Sequence, residues 1–107
     1  MIIKFEDEDL EIFIETGKSE KKFYRKLSSN KTFMNDLSKV MLRLRAAINV
    51  VELSKMQALN YEKLKHDLQG KSSIRIGYTS KYRMIFTEHD NGIRIIVIEI
   101  NEHYGDK

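Results

Sequence analysis

The chain has 107 residues, of which 41% are apolar and 33% charged, enough for one packed core under a solvated surface and unlike a disordered segment. Cysteine is absent, which excludes disulfides, thiolate metal sites and a cysteine nucleophile and suits a reducing compartment. The net charge of +3 conceals a gradient: residues 1–17 set one lysine against six carboxylates, a balance of −5, and leave +8 on residues 18–107, a field that attracts polyanions such as RNA or DNA.

A single domain over residues 1–107 is expected, because the chain shows no repeat, linker or low-complexity tract, has no proline and scatters its five glycines. The opening MIIKFEDEDLEIF turns acidic too soon for a secretory signal, and the longest apolar stretch, Ile93 to Ile100, is interrupted by Arg94 and Glu99. A soluble, cytoplasmic protein with no membrane partner is the expectation.

In chain order, Ile2, Ile3 and Phe5 form a short apolar opening suited to an edge strand. Leu10, Phe13 and Ile14 then recur at helical spacing behind an acidic first turn, with Gly17 as the stop. Ser19 is a candidate cap for a second short helical turn holding Phe23, Tyr24 and Leu27, which Ser28-Ser29-Asn30 ends. From Asn30 the spacing predicts a long amphipathic helix with Phe33, Leu37, Val40, Met41, Leu44, Ala47, Ile48 and Val51 on one face.

Beyond Asn60 the period changes to two. Leu64, His66 and Leu68 alternate with Lys63, Lys65 and Asp67, and Gly70-Lys71 turns the chain. Ile74, Ile76 and Tyr78 share one face of the next strand, and Tyr82, Met84 and Phe86 one face of the strand after it. A three-residue loop, Thr79-Ser80-Lys81, pairs Ile76 with Met84 and Ile74 with Phe86, and sets Arg75 and Arg83 diagonally on the opposite face, close enough to serve one anion. Asp90-Asn91-Gly92 is a hairpin turn, and Ile93 to Ile100 is apolar on both faces, as in a central strand. The pattern is α+β: N-terminal helices packed on one face of a twisted antiparallel sheet.

Four blocks of the second half resemble the RelE/ParE superfamily of bacterial toxins, closest to HigB-type, plasmid-maintenance killer proteins. They are Leu64-Lys65-His66-Asp67-Leu68-Gln69-Gly70, Ser73-Ile74-Arg75-Ile76, Tyr82-Arg83-Met84-Ile85-Phe86 and Glu102-His103-Tyr104, in the family's order. Residues 61–104 match block by block; residues 1–60 match only in length and element order. Two departures stand out: His103 and Tyr104 reverse the family's terminal Tyr and His, and Gln69 occupies a place where the family often has a basic residue, for which Lys71 is a substitute.

The resemblance implies a RelE-like domain that enters the ribosomal A site, cleaves mRNA without a metal or cofactor, and is held silent by a helix-turn-helix, HigA-like antitoxin, through which alone it meets operator DNA. Arg83 is then the residue for the scissile phosphate, since a guanidinium stays protonated and forks two donors onto phosphate oxygens, with Arg75 as its neighbour. His66, Glu102, His103 and Tyr104 are the candidates for proton transfer, which of them is base and which acid being open. His66 shares phase with Leu64 and Leu68, so a core role is its alternative. Lys63, Lys65, Lys71 and Lys81 are the candidates for RNA or ribosome contact, or else solvated surface charges. The third histidine, His89, reads as surface beside a turn, and the three lack metal-ligand spacing. The same fold also carries ParE-like proteins that poison DNA gyrase without catalysis, and an inactive relative keeping only the antitoxin contact is a further alternative.

Overall fold

The computed structural model describes residues 1–65, 70–78 and 80–102. Helix α1 (Glu8–Thr16) begins where the Asp7 carboxylate accepts the Leu10 amide at 2.8 Å and ends at Gly17, whose φ of 79° closes the last turn onto the Phe13 carbonyl. Leu10, Phe13 and Ile14 are its buried face, as their spacing predicts. Helix α2 (Lys22–Ser28) buries Tyr24 and Leu27 and has no side-chain cap. Ser19 instead donates to Asp9 at 2.8 Å and accepts the Lys21 amide, so it ties the α1–α2 connection and does not cap α2.

Helix α3 (Lys31–Ala46) is capped by Asn30, whose side chain accepts the Phe33 amide at 3.0 Å. It does not run on to Val51. Ala47 turns extended (φ −71°, ψ 141°) and Asn49 caps a new helix, α4 (Val50–Ser54), through the Glu52 amide, while the Glu52 carboxylate accepts the Ile48 amide at 3.1 Å. This reciprocal Asn-x-x-Glu arrangement, close to a capping box, makes a helix start inside the apolar stripe. The terminal ammonium of Met1 donates to the Ala47 carbonyl freed by the break. Ile48 and Val51, expected on the buried face, are therefore 68% and 60% exposed, and Val50 and Leu53 are buried in their place.

The sheet has five strands in the order β1-β5-β4-β3-β2: β1 (Ile2–Phe5), β2 (Glu62–Lys63), β3 (Lys71–Arg75), β4 (Tyr82–His89) and β5 (Arg94–Glu102). It is antiparallel from β2 to β5, and β1 adds in parallel at the opposite edge. Ile3, Phe5, Ile74, Met84, Phe86, Ile95, Val97 and Ile100 face the helices and share a core with Leu10, Phe13, Leu37, Val40 and Leu44. Of the strand expected through Leu64 to Leu68 only Leu64 and Lys65 are described, and they follow β2, which ends at Lys63; the Leu64 amide donates to the Lys71 carbonyl, and His66 to Gln69 lie outside the described residues.

The β3–β4 register is displaced by two residues from the one the short loop requires. Ile74 pairs with Met84, Ser72 with Phe86, and Arg75 stands directly opposite Arg83. Gly77, at φ 91°, takes the chain off the ladder early, so Tyr78 leaves the strand face and is 80% exposed. Because side chains alternate with period two, this displacement leaves both apolar rows facing the core. Asp90, Asn91 and Gly92 make the β4–β5 turn with positive φ throughout, as Asp-Asn-Gly favours.

Candidate functional site

On the face of the sheet away from the helices, the register creates two rows, the first polar throughout and the second polar but for Ile85. Arg75, Arg83 and Asn101 form one across β3, β4 and β5; Glu62, Ser73, Ile85 and Glu99 form the other, from β2 to β5. Like charges directly opposite on a sheet repel, so the Arg75–Arg83 pair is a local concentration of positive charge that an anion would relieve. The two arginines meet more closely than sequence reading expects, opposite and not diagonal.

Arg83 is only 6% exposed. Its Nε donates to Ser73 Oγ at 2.8 Å, one terminal nitrogen donates to the Asn60 carbonyl at 2.5 Å, and the same nitrogen lies 3.8 Å from the Glu62 carboxylate. Asn60 adopts a left-handed backbone (φ 44°), tolerated best by Gly and Asn, which accompanies the carbonyl on the guanidinium. Glu62 is beyond hydrogen-bond reach of Arg83, so the two are paired electrostatically without being locked. Arg75 is half-buried and donates to the Tyr78 carbonyl at 2.7 Å.

The remaining candidates divide. Glu102 pairs with Tyr82 in register and so lies on the helix side, where its carboxylate meets Lys81 at 3.1 Å; it is not part of the arginine face, and Asn101 occupies that place. Hydrogen bonding to Glu102 raises the Lys81 ammonium above its ordinary value. Lys63 pairs with Ser72, not Ser73, and so lines a cleft of about 800 Å³ between α4 and the end of the sheet on the helix side; Lys71 borders the same cleft but alternates with Ser72 onto the face of Ser73 and Arg75. Lys65 is exposed. His66, His103 and Tyr104 lie outside the described residues. His89 is half-buried with its Nε2 at 2.8 Å from Thr87 Oγ1. Among the described residues no group of three His, Asp or Glu side chains is placed to hold a metal ion.

Within the cleft, Tyr61 and Ser72 hydroxyls both donate to one oxygen of Glu88, Ser72 at 2.5 Å. Burial, and then the Glu88 carboxylate, push the Tyr61 phenol up to about 12. Sequence reading missed Glu62, Ser73 and this trio. The available signals were a carboxylate among the lysines of residues 62–65 and two adjacent serines inside an apolar strand, since buried hydroxyls must find partners.

Arginines, a carboxylate and amide groups gathered on one sheet face can bind a phosphodiester and move a proton. The chain is similar to the YoeB/ParE toxin from Agrobacterium tumefaciens, at 18% identity over 97% of this chain and 100% of that chain, with a TM-score of 0.54. It is similar also to a chain of the YoeB-YefM complex from Staphylococcus aureus, at 22% identity over 97% of this chain and 98% of that chain, with a TM-score of 0.49. No protein-family model matches the sequence, and none of the curated proteins does. The α+β architecture of helices on a twisted sheet is thus the RelE-like fold that the Agrobacterium toxin shares.

Proposed function

We propose that residues 1–107 act as one toxin domain of a bacterial type II toxin–antitoxin pair, a RelE/ParE-superfamily endoribonuclease that cleaves mRNA in the ribosomal A site. The observation that carries the reading is the Arg75–Arg83 pair with the Glu62 carboxylate 3.8 Å from Arg83. The fold shared with a YoeB/ParE toxin supports it, and the HigB-type likeness rests on the sequence blocks.

The chemistry needs a base, positive charge and an acid, all within reach of side chains. Glu62 takes the proton of an RNA 2′-hydroxyl as its oxygen attacks the adjacent phosphorus. Arg83 and Arg75 balance the charge that builds on the non-bridging oxygens. The bond from phosphorus to the 5′-oxygen breaks, leaving a 2′,3′-cyclic phosphate on one fragment. The departing 5′-oxygen takes a proton from His103 or Tyr104, the family resemblance being the ground for that role, with His66 the third candidate. The ribosome contributes orientation by holding the strand in line. The antitoxin, HigA-like and helix-turn-helix, would bring the pair to operator DNA in the cytoplasm. Among the described residues no helix is long and apolar enough to cross a membrane.

Induced expression should arrest growth with cuts inside the codons of translated messages, and Arg83→Ala should abolish both. Intact messages beside accumulating gyrase–DNA breaks would move the protein to the ParE class.

A further inference from the structure

The proposed base sits on a strand that cannot hold itself. β2 has two residues, Glu62 opposite Ser73 and Lys63 opposite Ser72, and it is the outer strand of the sheet. A pairing this short is marginal in water, and it carries the Glu62 carboxylate that stands beside Arg83. What fixes it is a pair of side-chain networks, one on each face.

Ser72 and Ser73 are adjacent and both buried, at 3% and 0% exposure, and alternation sends their hydroxyls to opposite faces. On the far face Ser73 accepts Arg83 Nε, and Arg83 reaches on to the Asn60 carbonyl. On the helix side Ser72 and Tyr61 donate to the same Glu88 oxygen, and the Tyr61 ring lies 6.4 Å from that of Phe86. Residues 60, 61 and 62 are thereby gripped in turn: Asn60 by Arg83, Tyr61 by Glu88, and Glu62 between the two. β4 supplies both anchors, Arg83 near its start and Glu88 near its end. A carboxylate accepting two hydroxyl protons is a charge-assisted anchor, each such bond roughly twice as strong as a neutral one.

We propose that Glu88, through Tyr61 and Ser72, is the positioning group of the site: it sets β2 against β3 from the helix side so that Glu62 stands beside Arg83 on the other. Glu88 touches no substrate in this arrangement, because the sheet separates it from the arginine face. The proposal rests on the endoribonuclease reading for its functional meaning and on geometry alone for its structural one.

The test uses the full chain with Tyr61→Phe, Glu88→Ala and the conservative Glu88→Gln, whose amide oxygen still accepts both hydroxyls. Hydrogen exchange followed by NMR reads the geometry without any activity. Tyr61→Phe and Glu88→Ala should speed exchange of the Glu62 and Leu64 amides, which face β3, and of Arg83 Nε–H by about fivefold or more, with β4–β5 amides unchanged and Glu88→Gln close to the parent. On mRNA bound to purified ribosomes, kcat should fall by on the order of 10²-fold in the two disruptive variants with KM held, since the loss is of orientation and not of binding. Glu88→Gln should recover most of it. If the parent chain cleaves no RNA while the exchange pattern appears as expected, the endoribonuclease reading fails and the clamp stands. Parent-like exchange at Glu62 and Arg83 in Tyr61→Phe and Glu88→Ala would overturn the clamp, whatever the activity. Uniformly faster exchange throughout the sheet would overturn it also, as general loosening.

Discussion

Arg83 combines two demands that usually pull apart. A guanidinium buried to 6% exposure must have its donors met, and Ser73 and Asn60 accept from it within the protein while Glu62 balances its charge at 3.8 Å. The same partners fix its orientation in advance, which is what stabilisation of a developing charge requires. Arg83→Ala therefore removes both a structural tie and the proposed phosphate ligand, and it should lower stability by about 3 kcal/mol as the buried partners are orphaned. Glu62→Gln separates the two effects. It keeps the volume and an acceptor on the half-exposed side chain, so the thermal midpoint should hold while cleavage falls by on the order of 10²–10⁴. Cleavage at the parent rate by a folded Glu62→Gln protein would remove Glu62 from the role of base.

Tyr61 gives a second residue-scale prediction, in alkali. Burial raises the phenols of Tyr24 and Tyr61, the latter to about 12 with help from the Glu88 carboxylate. A raised value in the folded state means that the folded protein keeps a proton that the unfolded chain gives up. The corresponding stability is complete below the ordinary tyrosine value of about 10 and is lost as pH climbs through the folded one. Thermal denaturation across that window should show a falling midpoint, and Tyr61→Phe should flatten the fall. A slope identical in Tyr61→Phe would assign the alkaline loss to Tyr24.

At the level of elements, the break between α3 and α4 is held by few bonds and should be sensitive to them. Asn49→Ala removes the acceptor of the Glu52 amide and should cost about 1 kcal/mol, read as a lower denaturant midpoint at unchanged slope. The residues there also explain what was legible in the sequence. α1 and its stop at Gly17 follow from local chemistry, an aspartate cap and an acidic first turn, and the spacing alone suffices. The α3–α4 break hides because Ile48 and Val51 continue the apolar stripe across it, and only the Asn49–Glu52 pair betrays a second start. The β3–β4 displacement is invisible to alternation for a different reason: a shift by two leaves every side chain on its own face, and only the loop decides. Glu62 escapes notice because its partner Arg83 is distant along the chain, and nothing local announces a cross-strand ion pair.

For the molecule as a whole, the charge gradient set by the sequence meets a fold that distributes its basic residues unequally. Arg75 and, by alternation, Lys71 stand on the arginine face, Lys63 lines the helix-side cleft, and Lys81 is neutralised by Glu102 at 3.1 Å. Counterion release makes RNA affinity fall with salt, each phosphate neutralised contributing about 0.7 to the log–log slope for a single strand. Fluorescence anisotropy of a labelled single-stranded RNA across about 50–200 mM KCl therefore sorts these groups. Arg75→Gln should reduce the slope by about 0.7, because that side chain faces the proposed phosphate path. Lys81→Gln should leave it unchanged, since Glu102 already holds that charge and releases no counterion when RNA arrives. A slope that drops equally for both would mean that RNA follows the net field of the molecule and not the arginine face, and the assignment of that face as the substrate surface would fall with it.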